Sequence, residues 1–413
     1  MIYSEYLGDS FNENTNEFNS QTAQENVAKK KSKLNILLLG ATGSGKSSLV
    51  NAIFGGNIVE SGVGKPITQF LEKIEIPNKG ITLWDTKGIE AKDYENTKSQ
   101  LINDIKTGFS EAFETGIDEH RPHVAWLCIK ETSSRIEQRE LDLLSIAQEY
   151  GIPAVIVFTY TQYEAGEEFV NAAKDELNNS FKHFLKDRFI RVNSQNYQIM
   201  NTEVKTSGLE NLLEATVSCL ADVSQTTVKE QAKRHAHIEA LMKAQEIDSE
   251  KKLIAMTESA KNKVHIAAVA AATVGASPIP GSDAPLIAAV QSTLIYTLNS
   301  EFEVDSNTSK TTTTIAGILG VTAIAQVGKA LVANVLKFIP GGGTILGGAI
   351  SAATAAAITE AVGHAYIKVL ISYYDYETCK VNLPEVSVLL NTFETVFKQI
   401  YKNQSDTDVS SKN

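Results

Sequence analysis

Between residues 34 and 192, six short apolar runs recur, most of them followed by a stretch whose apolar positions return every three or four residues. The runs Leu34–Leu39, 70–76, 81–84, 123–129, Ala154–Thr159 and 189–192 have the length and the aliphatic, β-branched content of strands. Residues 47–54, 92–115, 136–149, 165–187 and 208–221 carry the helical period. This alternation predicts an α/β domain over 34–222, a mainly parallel sheet with helices on both faces. Its ligand belongs beyond the carboxyl ends of the strands. From 207 to 263 there is no proline, and the pattern predicts nearly continuous helix. Residues 223–263 are highly charged, with Leu241, Ile247, Leu253, Ile254 and Met256 as sparse apolar contacts, and read as a connector.

The pattern changes after that. Residues 264–282 hold only His265 as a titratable group, and 284–300, 311–328 and 338–359 hold no Asp, Glu, Lys, Arg or His. Runs of this length can cross a bilayer as helices. They are dominated by Ala, Gly, Thr and Ser, however, which makes insertion marginal. Two readings stay open for residues 264–401: a tightly packed all-α domain, or one that meets membrane lipid through residues 264–372. Gly343 and Gly347 have the spacing of close helix pairs, and Ile-Pro-Gly occurs at 279–281 and again at 339–341, where each breaks a helix. Residues 1–33 and 402–413 are polar and aperiodic, and both are expected to be disordered.

Composition narrows the function classes. Across 413 residues the formal net charge is −11, which argues against DNA as a partner. Cys128, Cys219 and Cys379 lie far apart without metal-ligand spacing, as expected of buried thiols in a reducing compartment. With no secretory pattern at the N-terminus, the expected location is cytoplasmic, with the membrane surface left open. His235 and His237 are two apart, face different ways on a helix and read as surface residues.

The chemistry sits in Gly40-Ala41-Thr42-Gly43-Ser44-Gly45-Lys46-Ser47, which lies between a strand-like and a helix-like run. G-x-x-x-x-G-K-S in that context is a phosphate-binding loop. Its glycines let several N–H groups turn inward, and the next helix, through Ser48, offers amides and dipole to the same anion. Lys46 is expected on the β- and γ-phosphates and the Ser47 hydroxyl on Mg²⁺. Asp85-Thr86-Lys87-Gly88 follows a strand with the spacing D-x-x-G. There Asp85 can hold Mg²⁺ through its water shell, and the Gly88 amide can meet the γ-phosphate. Thr68 lies in the intervening loop, which would close over the γ-phosphate and complete the Mg²⁺ shell.

These three elements resemble the nucleotide motifs of the Era-like branch of translation-factor-class GTPases. Pro66-Ile67-Thr68-Gln69 is similar to the switch segment of a subgroup with a C-terminal apolar domain of unknown function. The resemblance implies GTP as substrate, Mg²⁺ as cofactor and a base-reading loop of the form N/T-K-x-D. Thr159 matches its first position, but Tyr160 replaces the lysine and Gln162 the aspartate. A register two residues later ends instead on Glu164. Ser194 resembles the small residue that backs the guanine. Ile89 stands where many relatives place a water-orienting glutamine, and Gly43 where potassium-activated ones carry asparagine. The expected activity is therefore slow GTP hydrolysis, with no catalytic residue assigned. A homodimer is left open, with Arg135 as a residue that could act in trans or simply lie on the surface. Two alternatives remain: a membrane or scaffold interaction protein that binds nucleotide structurally with little turnover, and a ribosome- or RNA-assembly GTPase.

Overall fold

The computed structural model describes residues 2–31, 33–56, 58, 63–66, 70–76, 78–86, 91–133, 135–161, 166–199, 202–222, 227–275, 283–304 and 351–410. They form two compact units, Ser32–Lys252 and the pair of segments Met1–Lys31 and Leu253–Asn413.

The first unit is built on a seven-stranded sheet, in the order Val63–Pro66, Leu71–Ile76, Ile81–Thr86, Leu34–Leu39, Val124–Lys130, Ala154–Thr159, Phe189–Arg191. The last five of these run parallel to one another, while the two at the Val63–Pro66 edge are antiparallel. Leu34–Leu39 is buried at every position, as a strand covered on both faces must be. Its alternation divides the core. Leu37 and Leu39 join Trp84, Leu127 and Phe158 under the helices Ala91–Glu114, Gln138–Glu149 and Gly166–Leu185. Leu34, Ile36 and Leu38 join Trp126 and Val157 under Lys46–Phe54, Leu209–Ala221 and Val228–Ala244. The predicted α/β architecture, with a mainly parallel sheet, is what the chain adopts.

The sequence reading of one long helix from 207 to 263 is corrected. Helices run Leu209–Ala221, Val228–Ala244 and Ser249–Gly275. The last break has neither Pro nor Gly; Gln245 makes it with its side chain. Its Oε1 accepts from the N–H groups of Ile247 and Asp248, and its Nε2 donates to Asp248 O at 2.8 Å. A side chain that replaces backbone partners in this way ends a helix locally. Val228–Ala244 also buries Ala240, Leu241 and Ala244 in the sheet's core, so it is a layer of this unit and not a bare arm.

The second unit is helical, with Ser249–Gly275 continuing into it and Asp283–Glu301, Ala352–Ser372 and Val386–Ser410 beside it. Asp283–Glu301 is buried almost all round, which accounts for its uncharged sequence without lipid. No described helix is long and apolar enough to cross a membrane. The Ile-Pro-Gly elements, Gly343 and Gly347 lie outside the described residues.

Two expectations of disorder are overturned here. Residues 2–30 form helices Ile2–Leu7 and Ser20–Lys30 around a short hairpin. Tyr3, Leu7, Phe11, Phe18 and Ala23 enter the helical unit's core. These few apolar residues lack a period of their own and find their partners some 270 residues away. Lys30 donates to Tyr6 O at 3.1 Å and Lys31 to Ser300 O at 2.9 Å, carbonyls at helix C-terminal ends, where a cation is favoured. At the other terminus the final helix extends through Ser410. Elongation from a packed helix is cheap once nucleated.

Candidate functional site

The phosphate loop joins the buried strand Leu34–Leu39 to the helix Lys46–Phe54. Its turns need glycine at two points in particular. Gly40 has φ of 133°, and a Cβ there would stand 2.4 Å from the Cys128 carbonyl oxygen. Gly45 has φ of 88° and caps the helix, accepting from Leu49 N at 2.9 Å. Lys46 is only 9% exposed. Its Nζ donates to Gly40 O at 3.0 Å and Ala41 O at 3.3 Å, and stands 3.8 Å from Asp85 Oδ1. Ala41 is half-buried and Thr42 and Gly43 are exposed; Ser47 is exposed and Ser48 half-buried. The Ser44 hydroxyl is buried with no hydrogen-bond partner among the described residues, a polar atom placed for a ligand.

Asp85 comes from the neighbouring strand in parallel register, opposite Leu38. Beside it, Thr86 Oγ1 donates to Leu38 O at 2.9 Å, fixing that strand end to the loop's stem. Thr159 ends the strand Ala154–Thr159, two places beyond Leu34–Leu39 in the sheet; it is 2% exposed and donates to Ser44 O at 2.7 Å. Further along the same edge Arg191 donates to Glu131 Oε1 at 2.8 Å and to Glu167 Oε1 at 2.9 Å. The strands' carboxyl ends thus gather a glycine loop with positive-φ turns, a buried lysine and a carboxylate, the parts of a polyphosphate site.

Residues 35–160 match the family model described as "50S ribosome-binding GTPase". The matched stretch contains the loop, Asp85 and Thr159. The chain is a P-loop GTP hydrolase. A search of the curated proteins returns no match. Among solved structures, a "probable GTP-binding protein engB" is 14% identical, over 45% of this chain and 97% of that one, with a TM-score of 0.31. Toc33 from Arabidopsis thaliana, in complex with Mg²⁺ and GMPPNP, is 19% identical over 48% and 91%, with a TM-score of 0.31. The bacterial dynamin GTPase LeoA from ETEC is 11% identical over 99% and 86%, with a TM-score of 0.30. Likenesses this slight carry no functional argument for the GTPase described here.

Of the residues the sequence singled out, the loop, Asp85 and Thr159 come together at this edge. Ser194 follows the edge strand, next to the bridge between Asn193 and Ser207. Thr68, Gly88, Ile89, Gln162 and Glu164 lie outside the described residues. Cys128, Cys219 and Cys379 are buried, with no disulfide among the described residues; burial pushes the Cys128 thiol up to about 12 and that of Cys219 up to about 11.

One group escaped the sequence reading. His237 is not a surface residue: its side chain is 12% exposed and its ring stacks on His123 at 3.8 Å. His237 Nε2 lies 3.0 Å from Asp118 Oδ2. The ligand atoms of Asp118, His123 and His237 all lie within 4.8 Å of one another, as a metal site would require. The hydrogen bonds argue otherwise. His123 Nδ1 accepts from Asn35 N at 3.0 Å, so its proton is on Nε2, which donates to Asp118 O at 2.9 Å. A ring with both nitrogens used has no lone pair for a metal. Arg121 and Lys233 also face Asp118. The cluster is a latch that holds the helix Val228–Ala244 to the amino-terminal edge of the sheet. His237, which bonds Asp118, and the nearby cations hold that carboxyl well below the usual range. No sequence signal joins residues 114 positions apart.

Proposed function

We propose that the chain is a guanine-nucleotide switch that hydrolyses GTP slowly and passes its nucleotide state to the helical unit. The observation that supports it is what stands at the two ends of the helix Lys46–Phe54. Its first residues belong to the phosphate loop. Near its other end, Ile53 O accepts from Glu246 N at 2.8 Å. Glu246 Oε1 also accepts from Lys79 Nζ at 2.7 Å, and that ammonium donates to Ala244 O at 3.0 Å. Three residues on, the helix Ser249–Gly275 begins and runs on past Lys252. A movement of the phosphate-loop helix on loss of the γ-phosphate would be felt at the Gln245–Asp248 bend.

The residues fit a triphosphate with Mg²⁺. Ser47 and Asp85, with Thr68, would hold the cation, and the orphaned Ser44 hydroxyl supports a ligand in the loop. When bound, Mg²⁺ supplies neutralisation of charge on the β- and γ-oxygens. Lys46 holds the same oxygens from the protein side. Slow turnover follows from residue type: Ile89 has no polar group to orient water, and Gly43 has no side chain at all.

Lipid attachment is a second reading, favoured by the uncharged runs 311–328 and 338–359. The test is phosphate release from GTP by the purified chain, alone, with anionic vesicles and with ribosomes. Release alone on the order of 10⁻³ s⁻¹ or slower is expected; rates above about 1 s⁻¹, ordinary for enzymes, would refute slow turnover. Co-sedimentation with vesicles decides the lipid reading, and stimulation by ribosomes would favour the assembly role. Hydrogen exchange in Ser249–Gly275 that is identical with GTP and GDP would refute the coupling.

A further inference from the structure

The helix Ala91–Glu114 follows the D-x-x-G motif in the chain, and midway along it one carboxylate reaches back to the sheet. Asp104 Oδ2 accepts from Phe70 N at 3.1 Å. Phe70 directly precedes the strand Leu71–Ile76, whose first residue pairs with Thr86, while Asp85 stands opposite Glu72. The Phe70 N–H therefore lies one step outside the ladder, at the corner where the strand Ile81–Thr86 ends. Phe70 is half-buried against the core beneath this helix, and a backbone donor shielded from water needs a partner. The same helix is tied to Gln138–Glu149 by Lys98 to Asp142 at 2.6 Å and by Lys106 to Glu149 at 2.5 Å. By the helical repeat Asp104 lies on a different face from both lysines. The helix is thus fixed to its neighbour on one side and to the corner of the sheet on another.

We propose that Asp104 is a positioning residue for recognition of the γ-phosphate: through the Phe70 amide it sets the segment that bears Thr68 against the one that bears Asp85 and Gly88. The proposal rests on the nucleotide-switch reading above. Thr68 stands two residues before Phe70, at most about 7 Å along the chain, so the place of the Phe70 amide limits where the Thr68 hydroxyl can reach. Asp104 belongs to the helix that the chain enters soon after Gly88. A shift of that motif toward a γ-phosphate is therefore carried by the helix to Phe70, and the two segments move as one. A hydrogen bond to an ionised carboxylate is about twice as strong as one between neutral groups, which suits Asp104 to a link that must hold through such a movement. A diphosphate makes no demand on Thr68 or Gly88, so the link serves GTP and not GDP.

The test compares equilibrium binding of GTP and of GDP, each with Mg²⁺, by the full chain and by Asp104→Ala and Asp104→Asn. Asp104→Ala is expected to lose affinity for GTP by roughly 10- to 150-fold, what the loss of a hydrogen bond to a charged group amounts to, and to bind GDP as the wild type does. In Asp104→Asn the amide oxygen still accepts from Phe70 N, but without the charge, so a smaller loss of roughly 3- to 10-fold is expected, again for GTP alone. A merely structural carboxylate would lower both affinities together. An equal loss for GTP and GDP therefore overturns the proposal, as does GTP binding undiminished in Asp104→Ala. Should the alanine variant not fold, Asp104→Asn decides by the same comparison: a loss confined to GTP supports the proposal, and wild-type GTP affinity or an equal loss of both ligands overturns it. A wild-type chain that binds neither nucleotide would instead sink the nucleotide-switch reading on which the proposal rests.

Discussion

His123 makes the stability of the GTPase unit depend on pH in a way that can be calculated. Its ring is buried between Asn35, Asp118 and the His237 ring, with both nitrogens bonded. Burial, and then the neighbouring His237, push its pKa down to about 3, against about 6.5 for a free histidine. The folded chain therefore keeps the ring neutral where the unfolded chain takes up a proton. Stability from this group is fully present above the unfolded value and is lost as pH falls from about 6.5 towards 3, at about 1.4 kcal/mol per pH unit. Near pH 5 the loss is about 2 kcal/mol, a large part of a typical domain's margin. Asp118 does not confuse this window: its lowered pKa acts only below the usual carboxylate range. Lys233, Arg121 and His237 are the other charged or titratable groups at this cluster. The two tryptophans of the chain, Trp84 and Trp126, are both buried in the sheet. Their emission therefore reports this unit's unfolding without the helical one. Denaturant titrations near pH 7.5 and pH 5 are expected to differ by about 2 kcal/mol more in the wild type than in His123→Gln. Equal pH dependence in the two proteins would refute the buried neutral histidine; should the variant not fold, an NMR titration of His123 itself gives the same answer.

Lys46→Ala is expected to abolish GTP binding, read by equilibrium dialysis, in a chain that still unfolds cooperatively by tryptophan emission, its midpoint lowered by the loss of the bonds to Gly40 O and Ala41 O; near wild-type affinity would count against the site. Gly40→Ala forces a Cβ toward the Cys128 carbonyl and is expected to destabilise the unit by on the order of 1–3 kcal/mol and to weaken nucleotide binding; an unchanged midpoint would contradict the loop geometry. Gln162→Asp is expected to sharpen the preference for GTP over ATP, because a carboxylate offers guanine two acceptors where an amide offers one; no change would point to the alternative register ending on Glu164.

The sheet was legible because its signals are local. Runs such as Leu34–Leu39 and Ala154–Thr159 are apolar at nearly every position, and glycine, lysine and serine at fixed spacing allow one backbone path. What the sequence did not give away depends on distant or unusual partners. The edge strand Val63–Pro66 is a four-residue piece that exists by pairing with Leu71–Ile76. The bend after Ala244 is made by a glutamine, a residue ordinarily at home in helices. His237 reads as one more polar residue on a charged helix until Asp118 and His123 are brought beside it. The Thr159 hydroxyl donates to Ser44 O of the phosphate loop, a partner 115 positions away that no local pattern announces. In each case the pattern of one element was right about itself and silent about its neighbour.

The amino-terminal segment carries that lesson furthest. Residues 1–28 hold no Lys or Arg and many Asn, Gln, Glu and Ser, a composition that ordinarily cannot bury enough surface to fold. Tyr3, Leu7, Phe11 and Phe18 are nonetheless buried in the helical unit. At about 1.5–3 kcal/mol for each large side chain, their burial stabilises by roughly 6–12 kcal/mol before chain entropy is subtracted. That is comparable with the whole net stability of a domain. The segment is therefore a structural part of a unit whose other helices come from beyond residue 253, with the entire GTPase sheet between them in sequence. Such a unit has high contact order, and closing so long a loop opposes its early formation. The sheet, contained within Ser32–Lys252, has all its partners as soon as that stretch is made. The GTPase unit thus draws only on a continuous stretch of chain, whereas the helical unit must bring together segments from both ends of it, which makes the first the faster of the two to form.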